Sequence, residues 1–266
     1  MRLPESLDLT GRVALVTGAG SPTGIGYAAA RQLGLLGASV VVGATSGRRA
    51  QDRCGELADL GITARAFVGD LTDPNAAEVL VHEAQQAFGA VDIDVNNAGM
   101  VSTWQPDYLE GDLLATTPER WGESLRRNLD TAFLVTRAAL PHLRRSGHGR
   151  VVMVASVTGA VMGMRSEVAY AAAKAGLVGL TRALAVDEAR HGVTANAVAP
   201  GWIATGSQTA HEVAEGLTTP VGRSGTADEV AAAIAWLASP GAAYVNGQVI
   251  VVDGGNAVAE ERALER

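Results

Sequence analysis

The chain has 266 residues, 28 acidic against 21 basic side chains for a formal net charge of −7, and 47% hydrophobic residues. That hydrophobic content excludes a disordered chain, the acidic balance with scattered arginines argues against a nucleic-acid binder, and no apolar run approaches the roughly 20 residues of a membrane span. Cys54 is the only cysteine, so neither an intrachain disulfide nor a cysteine-built zinc site is available, and the residue is expected half-buried on a helix. The opening MRLPESLDLTGRV lacks the apolar stretch of a secretory leader, which makes a cytoplasmic protein the expectation.

Short β-branched runs then alternate with longer helical patterns. RVALVTG (12–18) reads as the first strand and leads through a glycine loop into a helix over 24–36. ASVVVGA (38–44), a helix over 47–60, ITARAFVGD (62–70), a helix over 74–88 and VDIDVNNAG (91–99) follow. A long helix is predicted over 118–145, then RVVMVASVT (150–158), a helix over 169–191, VTANAVAPG (193–201), a helix over 226–238 and GQVIVVDGG (247–255). Helix starts are marked by Asp73 before Pro74, by Thr117 before Pro118, and by Thr226 with Glu229 as a capping box. The strands are continuously apolar, as in a sheet covered on both faces, and repeated βα units require right-handed crossovers. The expected fold is α/β: one doubly wound Rossmann-type domain with a seven-stranded parallel sheet and helices on both faces. Its core covers about 9–256, followed by a polar tail at 257–266.

The loop TGAGSPTGIG suits a phosphate, because glycines admit close backbone approach and a helix N-terminus favours negative charge. Its spacing departs from G-x-G-x-x-G, since Gly18 and Gly20 are followed by Thr23 where a third glycine would stand. Taken alone, the glycines could simply make a tight strand-to-helix turn. Together with NNAG at 96–99 and the pair Tyr170 and Lys174, however, the loop resembles the short-chain dehydrogenase/reductase family from about Leu9 to Asn256. The family pattern T-G-x-x-x-G-x-G is matched by Thr17, Gly18, Gly24 and Gly26, with two extra residues within AGSPT. Asp70 and Leu71 match the family's adenine-side residues, and PGWIAT (200–205) matches its nicotinamide-side turn. The resemblance therefore implies cofactor contacts at Gly18, Gly24, Ile25, Gly26, Asp70, Leu71, Asn97, Ala98, Gly99, Pro200, Gly201, Ile203 and Thr205, and at Tyr170 and Lys174.

A tyrosine with an ordinary pKa near 10 is a poor acid or base at neutral pH. Lys174 stands four residues after Tyr170 and so shares its helix face, where a cation favours the phenolate. Carbonyl reduction needs a hydride, which a nicotinamide supplies, and a proton, which Tyr170 would supply. The resemblance implies further roles: Lys174 on the nicotinamide ribose, Ser156 on the carbonyl oxygen, and Asn128 supporting a water-linked relay to the lysine. It also implies a homo-oligomer, commonly a tetramer, built on the helices at 118–145 and 169–191.

For the second half of the cofactor, the residues after the second strand are decisive. An NAD enzyme of this architecture commonly carries an acidic residue there, whereas Ala44, Thr45 and Ser46 offer none, and the Thr45 and Ser46 hydroxyls with Arg48 or Arg49 could hold a 2′-phosphate. NADP(H) is favoured over NAD(H). The competing readings are an NAD-dependent alcohol dehydrogenase of the same family and a non-catalytic dinucleotide-binding regulator; intact Ser156, Tyr170, Lys174 and Asn128 argue against the regulator.

The substrate is a small-molecule carbonyl or secondary alcohol. Its pocket is expected from about Met100 to Thr117, from 157–169 with Met162 and Met164, and from the lid-like stretch Ser207 to Thr219, with Trp202 at its border. That stretch carries no lysine or arginine, which favours a small or moderately apolar ketone, while the resemblance to ketoacyl reductases keeps an acyl-carrier-protein thioester open. His82, His142, His148, His191 and His211 show no metal-binding spacing, so no metal is expected. Asp94 is anomalous: a carboxylate inside the fourth strand must find a partner, sit in a shifted strand or be less buried than the pattern suggests.

Overall fold

The structure is a computed structural model that describes residues 3–99 and 111–260. Its seven-stranded sheet is wholly parallel in the order β3-β2-β1-β4-β5-β6-β9, as the alternating pattern requires. The strands are β1 (Val13–Val16), β2 (Ser39–Ala44), β3 (Ala64–Val68), β4 (Ile93–Asn96), β5 (Arg150–Val154), β6 (Thr194–Pro200) and β9 (Val249–Val252). Strand order reverses between β1 and β4, and in open α/β sheets ligands bind at the carboxyl ends beside such a switch point. β7 (Ile203–Ala204) and β8 (Gly225–Thr226) form a separate two-stranded pair that the sequence pattern does not reveal.

Alternation along the strands distributes apolar side chains to two helical layers. Ala14 and Val16 of β1 face α1 (Ile25–Leu35), α2 (Gly47–Asp59) and α9 (Ala227–Ala238), while Leu15 faces α3 (Pro74–Phe88), α5 (Thr131–Ser146) and α7 (Val168–Glu188). Burial of each large side chain such as Leu15, Leu33 or Ile234 contributes about 1.5–3 kcal/mol. The two outer strands depart from the expected double coverage: Val68 of β3 and Val251 of β9 are exposed, because the helical layers do not cover both faces out to the edges of the sheet. Asp73, Thr117 and Thr226 cap their helices as expected, Thr226 with Glu229 in a full capping box, and Cys54 is half-buried on α2.

The helix predicted over 118–145 is instead two helices, α4 (Pro118–Leu125) and α5, joined without a break by a π-helical turn at Arg126–Asp130. Leu129 of this turn packs against Gly176 of α7, where any β-carbon would collide with the leucine. Two shorter elements complete the chain: a helical turn α6 (Val157–Ala160) and the helix α8 (Ala210–Leu217), which lies in the stretch expected to be lid-like. No helix among the described residues is long and apolar enough to cross a membrane.

Asp94 is fully buried in β4 and does have partners. Its Oδ2 accepts hydrogen bonds from Asn96 Nδ2 (2.8 Å) and Thr136 Oγ1 (2.7 Å), whereas Oδ1 meets no donor among the described residues. Burial lifts its pKa to about 6, against which the two hydrogen bonds pull down. An acid whose folded pKa lies above its ordinary 3.8 destabilises the fold once ionised. The cost is absent below about pH 4, grows through pH 6 and is complete above it, on the order of 3 kcal/mol. Asp94→Asn, which keeps an acceptor oxygen and removes the charge, is expected to raise the melting temperature at pH 8 and to leave it nearly unchanged at pH 4. Equal changes at both pH values in a thermal-melt series would exclude this account.

Candidate active site

The carboxyl ends of β1, β4, β5 and β6 place the sequence motifs around one cleft. Thr17, at the end of β1, ties two of them together: its Oγ1 accepts the backbone N–H of Asn97 (3.0 Å) and of Ala98 (2.9 Å) and donates to Val95 O. Asn97 returns the bond, its Nδ2 donating to the carbonyls of Thr17 and Gly18, both at 3.1 Å. Gly18 has φ +65°, a left-handed conformation that glycine adopts freely, and Gly26 lies so close to Asn97 Nδ2 and Gly18 O that no side chain fits. Gly24 is the N-cap of α1 without a side-chain cap, so the first-turn N–H groups of α1 remain available to an anion. Ile25 begins that helix.

Beyond the glycine loop, Ala44 closes β2 and Thr45 and Ser46 follow, Ser46 capping α2 by accepting the Arg49 N–H. The helix phase set by this cap turns Arg49 and Arg53, four residues apart, toward the loop. Arg49 packs its Cβ 3.4 Å from the position a β-carbon would take on Gly20, and Arg53 Nη1 donates to Gly20 O at 3.4 Å. Arg53 also pairs with Glu56 and lies over the Tyr27 ring, 5.3 Å from its centre. Arg48 and Arg49, the two candidates offered by the sequence, are both exposed. Asp70 sits after β3 with its carboxyl held below the usual carboxylate range by the Thr72 N–H and hydroxyl, and Leu71 is buried behind it. Gly99 approaches Asn128 closely enough that a β-carbon would stand 2.7 Å from its Oδ1.

The residues expected to carry the chemistry come from α7 and from the segment just after β5. Lys174 is buried, its Nζ donates to Val154 O at 2.9 Å and lies 5.6 Å from the centre of the Tyr170 ring. Burial pulls its pKa down to about 8. Ser156, two residues beyond Val154, accepts the Thr158 N–H at 3.2 Å, which leaves its hydroxyl proton for another acceptor. The strand that carries Ser156 therefore also anchors Lys174. Gly159 allows the turn after Ser156 to press on the first turn of α7, since any side chain there would collide with Ala171 O. Just before α7, Ser166 adopts φ +62°, a left-handed conformation that stores strain at the entrance to the helix of Tyr170 and Lys174. Asn128 is buried in the π-helical turn, its Nδ2 donating to Ser124 O at 3.1 Å; such one-turn irregularities often accompany functional residues.

On the opposite side of the cleft, Pro200 ends β6, Gly201 packs on Asp253, and Ile203 and Thr205 lie on and just after β7. Trp202 meets His211 of the lid helix edge to face, with ring centres 6.5 Å apart. Met162 and Met164 are half-buried, and Asn256 Nδ2 lies 3.9 Å from Met162 Sδ. Of the expected pocket segment Met100 to Thr117, residues 100–110 lie outside the described residues. Among the described residues no group of three or more His, Cys, Asp or Glu side chains gathers as a metal site.

The whole arrangement has close counterparts. The family described as enoyl-(acyl carrier protein) reductase matches residues 18–257. The 3-oxoacyl-[acyl-carrier-protein] reductase of Vibrio cholerae is 39% identical over 253 residues, spanning 94% of this chain and 98% of that protein. The enzyme of the same name from Escherichia coli is 38% identical over 254 residues with the same coverage. A dehydrogenase/reductase from Sinorhizobium meliloti superposes with a TM-score of 0.85 at 32% identity, covering 96% of this chain and 98% of its own.

The chain belongs to the short-chain dehydrogenase/reductase family. It is accordingly an NAD(P)-dependent oxidoreductase that moves a hydride between a nicotinamide and a carbonyl or secondary alcohol. Sequence reasoning passed over Arg53, although Ser46 as N-cap fixes the helix phase that turns it toward Gly20.

Proposed function

We propose that this short-chain reductase uses NADPH to reduce the keto group of a 3-oxoacyl thioester. Tyr170 is its acid/base, Ser156 anchors the carbonyl oxygen, Lys174 holds the ribose and supports the phenolate, and Asn128 serves the proton relay. The observation that carries the reading is the buried Lys174, bonded to the strand of Ser156 and poised beside the Tyr170 ring. The substrate class is supported by the names of relatives that align over 94% of the chain. NADPH is supported by the absence of a carboxylate at Ala44, Thr45 and Ser46 and by Arg49 against the glycine loop.

A dinucleotide fits the residues present. The uncapped N-terminus of α1 at Gly24 offers N–H groups to a diphosphate, and Gly18, Ile25, Gly26, Asp70, Leu71, Asn97, Ala98 and Gly99 surround the same cleft. When bound, the cofactor supplies the hydride. The chain supplies the rest: the Ser156 hydroxyl donates a hydrogen bond to the carbonyl oxygen and keeps its proton, and Tyr170 Oη delivers the one proton to that oxygen as charge develops on it. The Lys174 cation stabilises the phenolate left behind. Asn128, held in the π-helical turn, keeps its backbone and side chain beside Gly99 and α7 so that the proton can be replenished from water.

Exposed small residues Ala175, Gly179 and Ala183 along α7, with Phe133 exposed on α5, support assembly through these helices, for which a homotetramer is the proposal. The cytoplasm is the proposed location.

The test follows absorbance at 340 nm with NADPH and NADH in parallel. The substrates are a 3-oxoacyl thioester, simple ketones, a diketone and a 2-enoyl thioester. Selective NADPH oxidation with the 3-oxoacyl thioester is expected. Preference for a simple ketone would refute the substrate class, and preference for the enoyl thioester would refute carbonyl reduction. In the same assay Arg49→Ala is expected to raise KM for NADPH by about 10-fold or more and Arg48→Ala by little, since one charge-assisted phosphate contact contributes about 1.5–3 kcal/mol.

A further inference from the structure

The two residues that lengthen the glycine loop beyond T-G-x-x-x-G-x-G lie within Ala19 to Thr23, and they extend it toward the other side of the cleft. The base of the loop is fixed: Ala19 and Gly20 are buried, and Gly20 O is held by Arg53. From that base Ser21, Pro22 and Thr23 project outward, Gly24 N–H closing a turn onto Ser21 O at 3.2 Å. Thr23 Oγ1 then accepts the backbone N–H of Gly206 at 2.8 Å, 183 positions along the chain. The approach is close enough that a β-carbon on residue 206 would stand 2.9 Å from the same hydroxyl oxygen.

Gly206 is the first residue after PGWIAT and the foot of the lid. The lid is held at other points too: Gln208 Nε2 donates to Ser224 Oγ (2.8 Å), Thr209 and Glu212 form the capping box of α8, and His211 of α8 rests on Trp202. On its other flank, Thr23 directly precedes Gly24, the cap of the helix whose N-terminus suits a diphosphate. A single hydrogen bond thus joins the diphosphate side of the cleft to the lid on its substrate side.

From this geometry we infer that Thr23 is a positioning residue: it fastens the lid to the glycine loop, so that the cofactor is held under a tethered lid and released when the tether opens. The inference rests on the reading of this cleft as the nicotinamide site. Thr23 touches no reacting atom and acts through Gly206.

Hydrogen exchange of the peptide spanning Gly206, measured on the whole protein without cofactor, tests the tether by itself. Thr23→Val, which keeps the shape of threonine and loses the acceptor, is expected to speed exchange by about 3- to 10-fold, and Thr23→Ser to restore it. Stopped-flow fluorescence with NADPH tests the consequence. Dissociation is expected to quicken by a similar factor in Thr23→Val, with KM for the carbonyl substrate rising and kcat little changed. Native exchange in Thr23→Val overturns the tether, and faster exchange with native NADPH dissociation overturns its role in retention. Failure of NADPH to bind the native protein refutes the cofactor reading and the retention role with it, while the exchange result still decides whether the tether exists.

Discussion

Tyr170→Phe is expected to lower kcat by about 10³- to 10⁴-fold while leaving NADPH affinity within about twofold, since a positioned acid typically contributes 10²–10⁴ and the ring itself remains. The reason lies in how little else in the cleft can deliver a proton. The Ser156 hydroxyl can donate a hydrogen bond but is far less acidic than a phenol, and Lys174 is buried with its Nζ on Val154 O, 5.6 Å from the centre of the tyrosine ring. Neither group is placed to substitute for the phenol. Turnover at 340 nm, paired with fluorescence titration of NADPH, separates loss of chemistry from loss of binding. Near-native turnover in the phenylalanine variant would remove Tyr170 from the mechanism.

Ala44→Asp is expected to reverse the cofactor preference, shifting the NADPH-to-NADH ratio of kcat/KM by about 100-fold toward NADH. Ala44 ends β2 with its Cβ 2.9 Å from where a β-carbon on Gly20 would be, so its side chain faces the glycine loop directly. A carboxylate there would accept bonds from a ribose 2′-hydroxyl and repel a 2′-phosphate. Loss of one charge-assisted contact plus repulsion corresponds to about 2–3 kcal/mol, hence the factor. Parallel initial rates with the two cofactors decide it; an unchanged ratio would show that preference is set elsewhere.

Much of this was legible in the sequence because it rests on local rules. Strand β1 followed by glycines and a helix, caps at Asp73, Thr117 and Thr226, and the helix phase of Tyr170 and Lys174 all depend on residues a few positions apart. What escaped depends on distant partners or on elements too short or too irregular to leave a pattern. Asp94 looked anomalous because Thr136, which bonds it, lies 42 positions away on α5. The Thr23 bond to Gly206 is likewise invisible along the chain. Strands β7 and β8 are two residues each, too short for any period to register. The π-helical turn at Arg126–Asp130 leaves no compositional mark, since its residues suit an ordinary helix equally well.

That turn also bears on how this protein can change. Each residue of an α-helix advances the helix by about 100°, but a π-helical turn is wider and takes up one extra residue, so α4 and α5 keep the phase of one continuous helix. Val135, Ala139 and Leu143 thus point into the core and Phe133 outward, as they would on a regular helix. Deleting one residue from Arg126–Asp130 is expected to straighten the helix, leave the apolar stripe of α5 on the sheet and displace Asn128 from its place beside Gly99. The core therefore does not protect the turn. A lineage could lose the placement of Asn128 by one deletion without refitting any layer of the fold.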